Sequence, residues 1–150
     1  MVLAANAAVK TMNVLNPKLY AKITGFALLA TALLGIVMEF VGNPHGNFMP
    51  NFLTFDWTHD ILHVVLGAIA LAAGFLAGGA YAKIYARLFG IVYTGLAIAG
   101  FVNGYVINAL GVQLELGENL VHTAIGVWGL AAGFMGTTDE TTTTPTRRTA

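Results

Sequence analysis

Hydrophobic positions along this chain fall into four long blocks, and polar residues are confined to the gaps between them. Residues 23–38, 61–82, 88–114 and 119–138 contain no Lys, Arg, Asp or Glu. A helix needs about 20 apolar residues to cross a ~30 Å hydrocarbon core. None of the four blocks carries the polar stripe that a soluble bundle helix turns toward water. Inside lipid each segment has to satisfy its own backbone, which favours helix over open strand. The pattern predicts an all-α, integral membrane four-helix bundle.

The blocks are also related to one another. The thirteen residues 63–75 return 59 positions later as 122–134, with His, Gly, Leu, Ala, Ala, Gly and Phe in register. Upstream, Tyr20-Ala21-Lys22, Gly25, Ala32, Gly35 and Val37 match Tyr85-Ala86-Arg87, Gly90, Ala97, Gly100 and Val102 at an offset of 65. The drop from 65 to 59 makes the connection inside the first unit six residues longer than in the second. An internal repeat dictates architecture. Here it predicts two tandem two-helix units, 20–80 and 85–136, within a membrane domain 20–136. A two-span unit copied once keeps its orientation, so the halves should be related by a pseudo-two-fold axis along the membrane normal.

Composition and charge sharpen this. The chain is 57% hydrophobic and 9% charged, with a mean hydropathy of +0.73, too apolar for the surface of a small soluble domain. Its basic residues are Lys10, Lys18 and Lys22, then Lys83 and Arg87 in the central loop, then Arg147 and Arg148. The two other loops hold Asp56, Asp60, Glu115 and Glu118 instead. The positive-inside rule then predicts a multi-pass inner-membrane protein with both termini and the central loop cytoplasmic. Tyr20, Tyr81 and Tyr85 suit the inner interfacial belt, and Phe55 and Trp57 the outer one. Residues 1–19 read as a cytoplasmic lead-in, and the Thr-rich, Pro-broken 137–150 as a disordered cytoplasmic tail. With no cysteine there is no disulfide or thiolate metal site.

Candidate chemistry gathers at the outer end. His63, Gly67, Ala70, Gly74 and Gly78 share one helical stripe, and His122, Gly126, Gly129 and Gly133 repeat it. Small residues at this spacing let helices approach closely, and Gly100 and Gly104 satisfy the same pattern. Both histidines should therefore point at protein. Glu39 shares a face with Gly25, Ala32 and Gly35 and lies at the same depth. The expected polar cluster is Glu39, Asp60, His63, Asn103, Glu118, Asn119 and His122, with His59 nearby. Asp60 and Asn119 are repeat equivalents, one turn before their histidines.

Ionisable residues at the edge of a span are functional candidates. Four readings stay open: a polar lock on helix packing; haem or divalent-metal ligation by His63 and His122, with His59 and Glu39 as further metal ligands; a small-ion or proton relay; and contact with a partner subunit or lipid head group. Catalysis has little support, since there is no phosphate-cradling loop, no nucleophile elbow and no serine at all. Zero net charge without a basic patch disfavours nucleic acid.

The run Asp60-Ile-Leu-His63-Val-Val-Leu-Gly67, then Leu71-Ala-Ala-Gly74, Tyr85-Ala-Arg-Leu-Phe-Gly90-Ile-Val-Tyr93, and Asn119-Leu-Val-His122 with Gly126 resembles a prokaryotic four-span membrane family catalogued as domain of unknown function 4383. The resemblance covers roughly residues 20–136. It implies the same topology and brings no established activity or ligand. Asp60 stands where the family usually has Asn, and the first outer loop carries an extra His45. The expectation is a non-enzymatic membrane protein, an accessory or self-associating subunit of a larger complex or homo-oligomer. No catalytic residue is assigned and no cofactor is assured.

Overall fold

The computed structural model describes residues 13–41, 47–49, 53–54, 56–102 and 114–138. Asn103, Gly104, His45 and Phe55, and most of both predicted tails, lie outside the described residues. Four helices carry the fold: α1 Pro17–Phe40, α2 Trp57–Phe75, α3 Ala82–Val102 and α4 Leu116–Met135. Asn16 opens α1 by accepting from the Lys18 backbone at 2.8 Å, with Pro17 in the first turn where its missing N–H costs nothing. Asp56 opens α2 by accepting from His59 N at 2.9 Å.

Three of the helices, α1, α2 and α3, are long and apolar enough to cross a membrane. The fourth is 20 residues long but is not in that set. Glu118, Asn119 and His122 occupy its first two turns, and all three are buried against protein rather than turned to lipid. The large apolar side chains on the outside of the bundle, such as Leu33, Ile61, Ile91 and Val127, are exposed as lipid-facing residues must be. The expectation of an all-α bundle meets one small addition. Strands β1 (Asn47–Met49) and β2 (Leu53–Thr54) pair antiparallel in the longer α1–α2 connection, and β2 touches α4.

Packing is strongest within α1–α2 and within α3–α4, weaker between α1 and α3, and slight between α2 and α3. Within each pair the same register is used. A Cβ on Gly25 would lie 2.6 Å from Leu71 Cδ2, and one on Gly90 2.5 Å from the backbone nitrogen of Leu130. Gly67 packs on Leu29 and Gly126 on Thr94; Gly74 packs on Lys22 and Gly133 on Arg87. Each of these contacts is its counterpart displaced by 65 on one helix and 59 on the other. The all-α four-helix bundle read from the hydrophobic pattern is the one observed.

Between α2 and α3 the chain reverses through Leu76–Gly79, where Ala77, Gly78 and Gly79 all take positive φ. Two glycines suit that turn; Ala77 at φ 49° is the strained exception. This turn, the start of α1 and the end of α4 define one end of the bundle, where Lys18, Lys22, Lys83 and Arg87 collect. The other is the polar-cluster end.

Candidate functional site

Asp60 lies in the first turn of α2, completely buried, with its carboxylate pressed against Gly35 of α1. Asn119 does the same in the second pair, its amide against Gly100 of α3. Glycine is required at both places, since any Cβ would overlap the polar group. Both Asp60 oxygens and Asn119 Oδ1 have no hydrogen-bond partner among the described residues. Glu39, half-buried near the end of α1, and Asp56 are charged neighbours of Asp60.

At the polar end the pairs meet through the histidines. His59 Nδ1 of α2 lies 3.8 Å from Glu118 Oε1 of α4, and both side chains are buried. Glu118 also accepts from the backbone N–H of Glu115 at 2.5 Å, so the same carboxylate that faces His59 closes the first turn of its own helix. The His59 and His63 rings lie 4.4 Å apart between centroids. His63 is half-buried and has His59 and His122 as ionisable neighbours. His122, 5% exposed, stands edge-on to Tyr93 at 4.8 Å. The ring nitrogens His63 Nδ1 and His122 Nδ1 have no hydrogen-bond partner among the described residues.

His59, Asp60, Glu118, Asn119 and His122 are thus all buried at one end, with His63 and Glu39 at its edge. A metal ion needs more than proximity. Among the described residues no group of three or more His, Asp or Glu side chains converges so as to hold one. The set His59, His63, His122 and Glu39 therefore has no ligating geometry to support it, and the buried carboxylates point between helices instead.

The sequence reading missed a column of rings below the cluster. Tyr85, Phe89 and Tyr93 of α3 stack at 4.6 and 4.5 Å, and the column continues upward to His122 and sideways from Tyr85 to Tyr20 at 6.0 Å. Tyr20 crosses from α1 to α4, donating to the Ile125 carbonyl at 3.1 Å over the gap left by Gly129. Thr24 Oγ1 lies 3.4 Å from the Tyr85 hydroxyl and donates to the Tyr20 carbonyl. The i, i+4, i+8 spacing of Tyr85, Phe89 and Tyr93 was the available signal.

Matched positions face each other at both ends. Tyr20 and Tyr85 differ by 65, and His59 and Glu118 by 59. Contact between equivalent positions is what helices related by a two-fold axis make where they meet it. Fold and site together define an integral-membrane four-helix bundle with a buried polar end. The chain belongs to the family described as a domain of unknown function (DUF4383), whose model matches residues 18–135. No curated protein and no solved structure shows significant similarity to it.

Proposed function

We propose that this is a non-enzymatic polytopic membrane protein, an accessory subunit in which the buried His/Glu cluster locks two helix pairs into one rigid unit. The observation that carries the reading is the His59–Glu118 contact, made across the pairs by buried side chains. Asp60 and Asn119 complement it by seating each pair on its own glycine. Polar contacts of this kind between membrane helices contribute about 0.6 kcal/mol on average, enough in sum to select one arrangement. The Gly stripes at Gly67, Gly74, Gly126, Gly129 and Gly133 are used inside the chain, so assembly with other subunits would use the lipid-facing side chains. The distribution of basic residues supports placing both termini on the cytoplasmic side of the cell membrane.

The test is made on the full chain purified in mild detergent from native membranes. His59→Ala and Glu118→Ala should each lower the unfolding midpoint while leaving the visible absorption spectrum flat. A Soret band or stoichiometric metal that disappears in His63→Ala or His122→Ala would overturn the reading in favour of a liganded redox protein. A chain that emerges as a lone monomer from gently solubilised membranes would remove the accessory part alone.

A further inference from the structure

Two clefts run between the helix pairs, and the chain fills only one of them. On the α1–α4 side, Trp128 stands edge-on to Tyr20 at 4.9 Å and donates from Nε1 to the Val14 carbonyl at 2.6 Å. The segment before α1 thus closes that side. The residue matched to Trp128, 59 positions earlier, is Ile69. Ile69 lies on the α2–α3 side, where a cavity of about 360 Å³ stays open between helices that barely touch.

The open cleft is lined by Leu66, Ile69 and Ala73 of α2 and by Ile84, Leu88 and Val92 of α3, with no polar surface. Tyr81 stands at its mouth, beside the α2–α3 turn. From Tyr81 to Val92 the wall extends roughly 17 Å at 1.5 Å per residue. That is about half of a ~30 Å hydrocarbon core, the depth of one leaflet. Lys18, whose side chain crosses Gly79 in the turn, and Lys83 place positive charge at the same level. Tyrosine at the boundary with lysine beside it suits a lipid whose head is anionic and whose chain lies below.

We propose that the α2–α3 cleft seats one acyl chain of an anionic phospholipid from the leaflet at the basic end. The depth, the wholly apolar wall and the charged mouth match that occupant. The proposal is independent of the polar lock, because cleft and cluster lie at opposite ends of the bundle.

The full chain is reconstituted into phosphatidylcholine vesicles containing a small fraction of chain-spin-labelled phosphatidylglycerol. The expected result is about one immobilised lipid per chain above the general boundary population, lost in Ile69→Trp, which copies the plug already present on the other side. Lys83→Gln should cut the preference for phosphatidylglycerol over phosphatidylcholine by about five-fold while chain occupancy persists. An unchanged immobilised population in Ile69→Trp would overturn the proposal. Should that variant not fold, single-cysteine labels report instead, since the natural chain has no cysteine. A label on Leu88→Cys should be quenched by brominated phosphatidylglycerol several-fold more than one on Ile91→Cys at low lipid fraction, and equal quenching would overturn the proposal. So would efficient cross-linking of Leu88→Cys between copies, which would make a second chain the occupant.

Discussion

The two helix pairs, α1 with α2 and α3 with α4, pack internally in one register and face each other with different chemistry. Inside the pairs, Gly25 and Gly90, Gly35 and Gly100, Gly67 and Gly126, and Gly74 and Gly133 do matching work. Where the pairs meet, the matched residues diverge: His59 faces Glu118, Tyr20 finds Gly129 where Tyr85 would find Ala70, and Trp128 fills the space its counterpart Ile69 leaves open. Two separate copies of one unit would have to set each residue near the axis against itself. Joining the units in one chain removes that restriction, and a base can be placed opposite an acid.

The most severe way to break this difference is His59→Glu, which restores identity at the contact and sets two buried carboxylates against each other. The loss should be about 3 kcal/mol, as expected when a buried charge is left without a complement. It would be read as a lower midpoint in detergent unfolding of the full chain. Glu118→His, the other way to symmetry, should cost less because two neutral imidazoles can share a proton between ring nitrogens. If the two variants are equally damaging, setting a base opposite an acid is not what matters at this contact.

Exchanging the small residues tests the second difference. A Cβ at Gly129 would fall 2.6 Å from the Tyr20 hydroxyl and 2.9 Å from the Gly90 Cα, one of which is backbone that cannot step aside. Gly129→Ala should therefore destabilise by about 2 kcal/mol through overpacking. Ala70→Gly, the reciprocal change, should cost only about 1 kcal/mol in helix propensity. Comparable losses from both would mean that Tyr20 can leave α4 without consequence.

Much of this was legible in the sequence, and the part that was not has a common cause. Helical spacing fixes which residues share a face, so the glycine stripes and the outward apolar surface followed directly, except at Gly78, which lies beyond the end of α2 in the positive-φ turn. It does not fix how far each pair turns about its own axis. That rotation decides that His59 meets Glu118, that Tyr20 reaches Ile125, and that His63, expected at the centre with His122, stands half-buried at the edge. Metal ligation was conceivable from residue types alone, and whether ligands converge is a property of the same rotation. The fourth block read as a span like the others. Its first two turns instead bury Glu118, Asn119 and His122, so polar residues there report packing against protein rather than exposure.

The smallest expected effect concerns the difference held inside the pairs. Asp60 and Asn119 occupy matching seats, one an acid and one an amide, each against a glycine and each without a hydrogen-bond partner for its oxygens among the described residues. An amide in that place carries no charge to desolvate, whereas a carboxylate does, and here it also has Glu39 and Asp56 as neighbours. Asp60→Asn, which makes the first pair like the second at almost constant shape, should raise stability by about 1 kcal/mol, seen as a higher unfolding midpoint at neutral pH. Asn119→Asp should lower it by a similar or larger amount. If Asp60→Asn instead weakens the fold, the acid is held by an attraction at its own seat, and the first pair is tuned to carry a charge that the second is built to avoid.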